Sequence, residues 1–396
     1  MGKGRRFRLL VVCYEYPPFS GGGGIALQGI ARELARRHTV HVLTGAARGE
    51  PAESRDGDVL VFRAPGWPRQ RASHSSLASM VGFWPFGTWH GYKLLSRYGY
   101  DLINTWFAVP SGPTGVHLAA KARLPHVLTL AGGDIYDPVK RHTPDKSRLV
   151  AAVVRRVLEA ADLRIAVSSD LARRAVELHG CPQPLEVVPL GLAPARPRPS
   201  TEGRADRRTL GLDPQAVYVV SLARLVRRKN LAALVEACAL AGAGNVRLLL
   251  LGDGPERRAL ERLARERGLG GRVLFKGFVD EAEKEALLRA ADIFALPSLH
   301  EAFGLVYLEA MRAGLPIVAT RPGGQEDFLE DGVTAHLVEA GDPEALAAAL
   351  TRLAGDPPAR RRMAAAARAA AAAVTTEAAA ARYEALFERL LPPRAV

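Results

Sequence analysis

The chain contains 396 residues, of which 48% are apolar and 24% are charged. This balance is typical of a globular protein and excludes a disordered chain, while the length predicts two or three domains. The three cysteines, Cys13, Cys181 and Cys238, stand far apart, which excludes a disulfide framework and favours a reduced, cytoplasmic compartment. The apolar run at residues 9–12 is too short for a signal sequence or a membrane helix, so it predicts a first β-strand.

Positive charge is concentrated in the first half of the chain. The net charge is +13; residues 1–195 contain 25 Lys and Arg against 15 Asp and Glu (+10), and residues 196–396 contain 29 against 26 (+3). A basic half favours anionic partners such as a phosphorylated acceptor, a membrane surface or nucleic acid. A general enrichment in arginine is the alternative explanation, and both stay open.

Short apolar strands alternate with helical patterns along the whole chain. This alternation predicts parallel sheets with helices on both faces, the doubly wound α/β class. The strands predicted in the first half are residues 7–12, 39–43, 59–63, 102–104, 127–130, 163–167 and 185–188. Those predicted in the second half are residues 217–222, 246–251, 273–276, 293–296, 317–319 and 334–338.

A glycine run at residues 21–24 follows the first predicted strand. Glycine lets backbone N–H groups approach a phosphate without interference from a Cβ atom, although a glycine cluster is usually only a flexible loop. A dinucleotide-binding fingerprint is disfavoured, because the loop is long and no acidic residue follows the second strand to bind a ribose.

Residues 67–100 combine aromatic and basic side chains and contain three of the four tryptophans. Such a combination is typical of segments at a lipid headgroup layer. The alternative is the wall of an acceptor cleft, or an ordinary core with solvated arginines. The set comprises Trp67, Phe83, Trp84, Phe86, Trp89, Tyr92, Tyr98 and Tyr100 with Arg69, Arg71, Lys93 and Arg97.

Residues 193–206 contain three prolines and have the composition of a linker. This places one domain at residues 1–192 and a second at residues 207–375. The tail at residues 357–391 is rich in alanine and arginine and predicts helix.

A basic loop follows the strand predicted at residues 217–222. Arg224 and Lys229 lie there, and a guanidinium with an ammonium group can neutralise a diphosphate. Arg227 and Arg228 lie in the same loop, and the spacing alone does not choose among the four cations.

Two glutamates, Glu301 and Glu309, follow the strand predicted at residues 293–296. A helix predicted over residues 303–313 places Gly304 at its entrance, where unpaired N–H groups and the helix dipole attract phosphate oxygens. Glu301 can accept hydrogen bonds from sugar hydroxyls, and Glu309 can do so from a ribose. For an isolated pair, a cap and a solvated helix face are the commoner explanation.

The spacing of Glu301 and Glu309 resembles the E-x7-E motif of the retaining glycosyltransferases of family 4. The segment from Arg224 to Lys229 resembles the R-x4-K motif of that family, and residues 248–256, 275–279 and 323–326 are also similar to it. The resemblance covers nearly the whole chain. It implies the GT-B fold: two Rossmann-like doubly wound domains with a cleft between them, the first binding the acceptor and the second the nucleotide sugar. It also implies that the terminal helix, residues 376–396, returns to the first domain.

The resemblance implies a role for each motif residue. Arg224 and Lys229 would bind the donor diphosphate, Glu309 the ribose, and Glu301 the transferred sugar with its developing positive charge. The remaining donor-site residues that it implies are Gly22, Gly23 and Gly24 facing the diphosphate, Gly254 near the nucleotide, Phe278 and Val279 at the base, and Phe303, Gly304 and Leu305 at the helix entrance.

The chain departs from the family at residue 131. Many relatives carry a histidine near the anomeric centre, whereas residues 129–134 read Thr-Leu-Ala-Gly-Gly-Asp here, with Ala131 in the histidine position. His126 lies too early to replace it, so Asp134 is assigned the polar role on the acceptor side. No Asp-x-Asp or His/Cys cluster in the sequence indicates a metal site, which favours metal-independent transfer.

These features predict a retaining transferase that moves a sugar from a UDP- or GDP-sugar to a hydroxyl group of a glycan, lipid or small molecule. The family mechanism is a front-side transfer in which the leaving phosphate takes the acceptor proton, without a cofactor. A cytoplasmic enzyme is expected, with peripheral contact with an anionic membrane kept open and no nucleic-acid partner. Two alternatives are a nucleotide-sugar epimerase on the same architecture, and a basic membrane- or nucleic-acid-binding protein with a vestigial sugar site.

Overall fold

A computed structural model describes residues 5–18, 21–66, 77–139, 143–193, 207–241 and 245–391. The chain divides into two compact units: unit 1 comprises residues 1–193 and 375–396, and unit 2 comprises residues 194–374. Residues 194–206 of the predicted linker and residues 67–76, which include Trp67, Arg69 and Arg71, lie outside the described residues.

Unit 1 is built on an eight-stranded sheet. Its strands are β1 (Arg8–Val12), β2 (Thr39–Thr44), β3 (Glu53–Asp56), β4 (Val59–Arg63), β5 (Leu102–Trp106), β6 (His126–Leu130), β7 (Leu163–Ala166) and β8 (Leu185–Val187). In space the order is β3-β4-β2-β1-β5-β6-β7-β8. Every neighbouring pair is parallel except β3 with β4. The seven predicted strands of this half are confirmed within one or two residues at their ends.

The edge strand β3 was not predicted. Its sequence, Glu-Ser-Arg-Asp, has no apolar residue, so the alternation that marks a half-buried strand is absent. It pairs with β4 in the antiparallel direction, and its charged side chains suit an exposed sheet edge.

In the described part of the first 193 residues, five helices follow strands of unit 1: α1 (Gly22–Ala35), α2 (Leu77–Arg97), α3 (Gly112–Ala122), α4 (Arg148–Ala160) and α5 (Ser169–His179). The central strands between them are buried on both faces, as the burial of all five residues of β5 and of β6 illustrates. This burial explains why these strands lack the alternation of apolar and polar residues of a half-exposed strand. The polar residues within them bond to each other, Asn104 to Thr129 and Thr105 to His126. Within the described ranges, no helix combines the length and the apolarity that crossing a bilayer requires.

Unit 2 contains a six-stranded sheet in which every pair is parallel. Its strands are β9 (Val217–Leu222), β10 (Val246–Leu251), β11 (Val273–Gly277), β12 (Ile293–Leu296), β13 (Ile317–Arg321) and β14 (Ala335–Glu339), and its helices are α6 (Leu231–Leu240), α7 (Arg257–Glu266), α8 (Glu281–Ala290), α9 (Leu305–Arg312), α10 (Pro343–Gly355) and α11 (Pro357–Ala371). The spatial order is β11-β10-β9-β12-β13-β14. The six predicted strands are confirmed, and the doubly wound α/β class holds for both units.

The last helix, α12 (Thr376–Leu390), belongs to unit 1. The Thr376 hydroxyl donates to the Gly191 carbonyl at 3.0 Å, and the Tyr383 ring stacks on Trp106 with centroids 6.0 Å apart. Phe387 is fully buried and meets Phe7 edge to face. The apolar face of α12 is therefore part of the core of unit 1.

Each sheet has a point at which the strand order reverses direction. In unit 1 the chain leaves β1 toward β2 on one side and β5 toward β6 on the other; in unit 2 the corresponding neighbours are β9 and β12. Loops after the two strands at such a switch point diverge and leave a crevice for ligands. Lys229 and Glu301 lie in the loops after β9 and β12.

Candidate active site

Lys229 and Glu301 meet at the switch point of unit 2. Lys229 ends a short 3-10 turn after β9, and Glu301 lies in the loop between β12 and α9. The Lys229 ammonium donates a hydrogen bond to Glu301 Oε1, and the Ser298 hydroxyl donates to the same oxygen at 2.6 Å. Both charged side chains are almost fully buried, with 12% and 8% exposed. The structure therefore brings together two residues that are 72 positions apart in sequence.

Neighbouring cations favour the ionised form of the Glu301 side chain. Burial opposes ionisation, but Lys229 and Arg228 outweigh it and lower the pKa of Glu301 to about 2. Because this pKa lies below the ordinary value of 4.5, the stability that the ionised group contributes is complete above about pH 4.5 and is lost as the pH falls toward 2. The contact with Lys229 therefore favours the ionised form of Glu301.

Other cations lie close to this ion pair. Burial lowers the pKa of Lys229, and although Glu301 opposes that shift, the charges of Arg228 and Arg224 add to it. Arg224 is exposed in the loop after β9. The Leu299 amide donates to the Arg228 carbonyl at 2.8 Å, which joins the loops that carry the two motifs. Sequence reasoning named Arg228 only as a neighbour; its influence on Glu301 becomes visible in the fold.

The entrance of α9 is shaped by Gly304. Its φ of 95° lies in the left-handed region, and a Cβ atom would be 2.5 Å from the Tyr307 ring, so other residues are disfavoured there. The helix begins at Leu305 rather than at Phe303, two residues later than predicted, because Gly304 leaves the helical conformation. The Phe303 side chain is buried against Phe328 with ring centroids 5.0 Å apart, which leaves only its backbone for a ligand.

Glu309 lies one turn further along α9 and is partly exposed, at 22% of its side chain. Lys284 of α8 donates to its Oε1 at 2.9 Å and also pairs with Glu281. Burial opposes the charge of Lys284, but Glu309 and Glu281 outweigh it and raise the pKa of Lys284. Lys284 was not predicted, since its position within α8 gave no indication of a partner on another helix.

Gly254, expected near the nucleotide, is closely packed, whereas Phe278, expected at the base, is exposed. A Cβ atom on Gly254 would lie 2.4 Å from the Leu225 carbonyl oxygen, so close packing of this turn on the loop after β9 is sufficient to require glycine. Phe278 is 90% exposed just after β11, and Val279 beside it is half-buried. An aromatic side chain this exposed has no packing role in the fold.

The glycine run of unit 1 forms the first turn of α1 rather than a loop. The helix starts at Gly22, so the backbone N–H groups of Gly22, Gly23 and Gly24 lie at its open end. A Cβ atom at Gly22 would meet nothing within 4 Å, whereas one at Gly23 would lie 2.7 Å from the ring of Phe107. Gly22 thus faces open space, and Gly23 is required by packing.

Asp134 does not have the surroundings expected of a group that contacts an acceptor directly. Its carboxylate accepts from the backbone amides of Ala108, Gly132 and Ala131, and it is 3% exposed. Burial raises the pKa of Asp134 to about 6, and these amides limit the rise. Burial leaves Asp134 almost no surface for an acceptor, so the structure favours a role in holding the backbone over the predicted direct contact. His126 is buried at the start of β6, where its Nε2 pairs with the Thr105 hydroxyl.

In the segments that the structure describes, no group of three or more His, Cys, Asp and Glu side chains lies close enough to hold a metal ion.

The sequence matches two family models that together span most of the chain. Residues 20–196 match the model described as Glycosyltransferase Family 4, and residues 203–370 match the model described as Glycosyl transferases group 1. The boundary between the two matches falls in the segment that separates the described parts of units 1 and 2.

Known proteins resemble the chain over nearly its full length. The D-inositol 3-phosphate glycosyltransferase of Xylanimonas cellulosilytica is 30% identical over 361 residues, which cover 85% of this chain and 84% of the relative. Among solved structures, sucrose-phosphate synthase from Thermosynechococcus elongatus has a TM-score of 0.84 at 25% identity and covers 97% of this chain and 99% of its own. Anabaena HepE, solved in complex with UDP, has a TM-score of 0.75 at 24% identity and covers 97% and 100%. The two sheets, the motif residues at their switch points and these matches lead to one conclusion: the chain belongs to the group 1, family 4 glycosyltransferases and has their GT-B fold.

Proposed function

We propose that the enzyme transfers a sugar from a nucleoside-diphosphate sugar to an acceptor hydroxyl with retention of anomeric configuration and without a metal ion. The observation that carries the proposal is the buried contact of Lys229 with Glu301 at the switch point of unit 2. Ligands of parallel sheets bind at the carboxyl ends of the strands, where this pair lies. The cation can bind the negative diphosphate of a donor, and the anion can stabilise the positive charge that its sugar develops during transfer.

In this proposal, cationic groups bind the donor diphosphate. Lys229 and Arg224 supply positive charge, and the N–H groups at the start of α9, after Gly304, supply hydrogen-bond donors. The effect of Arg224 on the pKa of Lys229 supports a single electropositive region. Because these groups can neutralise the charge that accumulates on the leaving diphosphate, no divalent cation is required for that task.

Glu301 and Glu309 are assigned to the two sugars of the donor. Glu301, kept ionised by Lys229, faces the transferred sugar and stabilises its developing positive charge, while Ser298 restrains its rotation. Glu309 binds the ribose hydroxyls; Lys284 occupies one of its oxygens and leaves the other to accept. The base lies against exposed Phe278. The UDP complex of HepE supports UDP as the first nucleotide to test.

The proposed reaction needs no protein nucleophile. The acceptor oxygen forms a bond to the anomeric carbon on the face from which the diphosphate leaves, the bond from that carbon to the diphosphate oxygen breaks, and the departing oxygen takes the acceptor proton. The protein contributes charge and position rather than a covalent intermediate.

Nucleotide binding and product stereochemistry test this proposal together. In buffer with EDTA, UDP or GDP at about 100 times its Kd should stabilise unit 2 by about 2.7 kcal/mol, measured by thermal unfolding. The anomeric coupling constant of the product, measured by NMR, should match that of the donor. Inversion would contradict the retaining mechanism, and loss of transfer in EDTA would contradict metal independence. Conversion of the donor without an acceptor would indicate the epimerase alternative.

A contact with an anionic membrane is proposed as a second property, because α2 exposes an unusual set of side chains. Val81, Trp84 and Trp89 are 61%, 47% and 51% exposed, and the spacing of these residues places them toward one side of the helix. The Lys93 ammonium lies over the Trp89 ring, 3.4 Å from its centroid. Tryptophan beside a basic residue is typical of side chains at the boundary between lipid headgroups and acyl chains.

Vesicle flotation measures this contact. The enzyme should float with vesicles that contain phosphatidylglycerol, and less with phosphatidylcholine alone. The variant Trp84→Ser/Trp89→Ser should lose flotation while it keeps nucleotide binding. Leu149→Ser is the matched control, since Leu149 is 77% exposed on α4. Absence of flotation by the unmodified enzyme at low salt would exclude the membrane contact.

A further inference from the structure

Phe107 has a backbone conformation that large side chains rarely adopt. It is the residue after β5, and its φ of 70° lies in the left-handed region. A bulky residue is an outlier there, since Cβ crowds the backbone. Such conformations persist where surrounding contacts hold them, and they concentrate at ligand sites.

Backbone hydrogen bonds hold Phe107 and the residue after it, and one of them goes to a buried carboxylate. The Phe107 amide donates to the Thr129 carbonyl at 2.8 Å, and the next amide, of Ala108, donates to Asp134 Oδ2 at 2.8 Å. The other oxygen of Asp134 accepts from the amides of Gly132 at 2.8 Å and Ala131 at 3.3 Å. Asp134 therefore connects the loop after β5, which begins at Phe107, with the loop after β6, and it holds the backbone directly after Phe107.

The ring of Phe107 lies beside Gly23, for which the resemblance implies a contact with the donor diphosphate, and near Ala131, which stands in the usual histidine position. A Cβ atom on Gly23 would be 2.7 Å from Phe107 Cζ and 3.7 Å from Ala131 Cβ. The ring thus packs on the first turn of α1 and next to the alanine that stands in the usual histidine position. Phe107 is only half-buried, so part of its side chain stays accessible at the switch point between β1 and β5.

We propose that Phe107 is a specificity-determining residue whose ring forms the platform for a pyranose ring of the acceptor, and that Asp134 is a positioning residue acting through it. One face of a pyranose carries C–H groups that pack on the electron-rich face of an aromatic ring, while its hydroxyl groups remain at the rim. The glycine at position 23 lets the tip of the ring approach the helix start, and the neighbouring Ala131 adds only a methyl group. The proposal rests on the proposed function, together with the acceptor-binding role that the resemblance implies for the first domain.

Saturation-transfer NMR tests the platform with methyl α-D-glucopyranoside, methyl α-D-galactopyranoside and methyl α-D-mannopyranoside as probes, in the presence of saturating UDP. At least one probe should bind the full-length enzyme and receive saturation most strongly at its ring C–H protons. Phe107→Leu should weaken binding by about threefold to tenfold, the range expected for loss of an aromatic contact. Phe107→Asn removes the ring but tolerates the left-handed backbone, and it should weaken binding equally.

A double-mutant cycle of Asp134 and Phe107 separates an effect of Asp134 on the position of Phe107 from its effect on the stability of the fold. Asp134→Asn should weaken probe binding in the unmodified enzyme, but it should have no further effect in the Phe107→Asn background, although its effect on the melting temperature is the same in both. Additive losses of affinity would show that Asp134 does not act through Phe107.

The outcomes also separate this proposal from the proposed function. If UDP binds but none of the three pyranosides does, the acceptor platform is excluded while the donor site stands. If Phe107→Asn weakens UDP binding instead of pyranoside binding, Phe107 faces the donor and the proposal is overturned. If UDP and GDP both fail to stabilise the enzyme while a pyranoside binds through Phe107, the donor assignment fails and the platform remains.

Discussion

Replacing Lys229 with alanine is expected to slow sugar transfer by about 10²-fold or more, the usual cost of removing one charge contact that strengthens in the transition state. The loss should appear in kcat, because the diphosphate gains charge as the sugar leaves. Glu301→Ala should cause a loss of similar size, since the transferred sugar then develops positive charge without its carboxylate. Product analysis first identifies the donor and the acceptor. The rate of UDP release with these two substrates then measures both effects.

Folding and catalysis can be separated in these variants because the two charges are buried together. Lys229→Ala alone leaves the Glu301 carboxylate without its ammonium partner, which typically costs about 3–5 kcal/mol; burial then raises the pKa of Glu301 and adds an acid limb to the pH–rate profile. Lys229→Ala/Glu301→Gln removes both charges and should recover most of that stability but none of the activity.

A surface pair in the same unit provides the matched control. Glu339 is 68% exposed and pairs with Arg321 at 2.9 Å, so Glu339→Gln should change stability by less than about 1 kcal/mol and leave transfer intact. Near-normal rates in both Lys229→Ala and Glu301→Ala would refute the assignment of the donor site.

The sequence was sufficient to place Lys229 and Glu301 after strands of one sheet, although it did not predict their direct contact. Each follows an apolar strand, and parallel strands at a switch point place their following loops at the same edge. The same logic could not find Lys284, whose contact with Glu309 depends on the packing of α8 against α9. Ser298 was also missed as a partner of Glu301, because a serine three residues before a glutamate is common in loops.

Local geometry accounts for the expectations that were corrected. The helix predicted from Phe303 starts at Leu305, because Gly304 adopts a positive φ that no apolar periodicity reveals. The glycine composition after β1 predicts a flexible loop, whereas these glycines form the first turn of α1. The role given to Asp134 came from the resemblance, and its three backbone partners depend on a turn that composition does not encode.

Replacing Phe387 with alanine is expected to destabilise unit 1 by about 3–5 kcal/mol, the usual cost of truncating a buried aromatic side chain. Phe387 lies on α12 and is fully buried, with its ring 6.1 Å from Phe7 and 5.8 Å from Tyr383. Urea unfolding followed by tryptophan fluorescence measures this effect, since all four tryptophans lie within residues 1–193. The signal therefore reports unit 1 even though α12 follows unit 2 in sequence.

The matched control for this change lies on the same helix. Arg389 is 66% exposed and pairs with Glu186 of β8 at 3.3 Å, so Arg389→Ala should shift the fluorescence transition by less than about 1 kcal/mol. A loss below about 1 kcal/mol in Phe387→Ala would mean that α12 is not an essential part of the core of unit 1. A full loss would mean that the stability of unit 1 depends on residues that are joined to it only after the chain has completed unit 2, so that unit 1 cannot reach its final stability during synthesis until the last helix has been made.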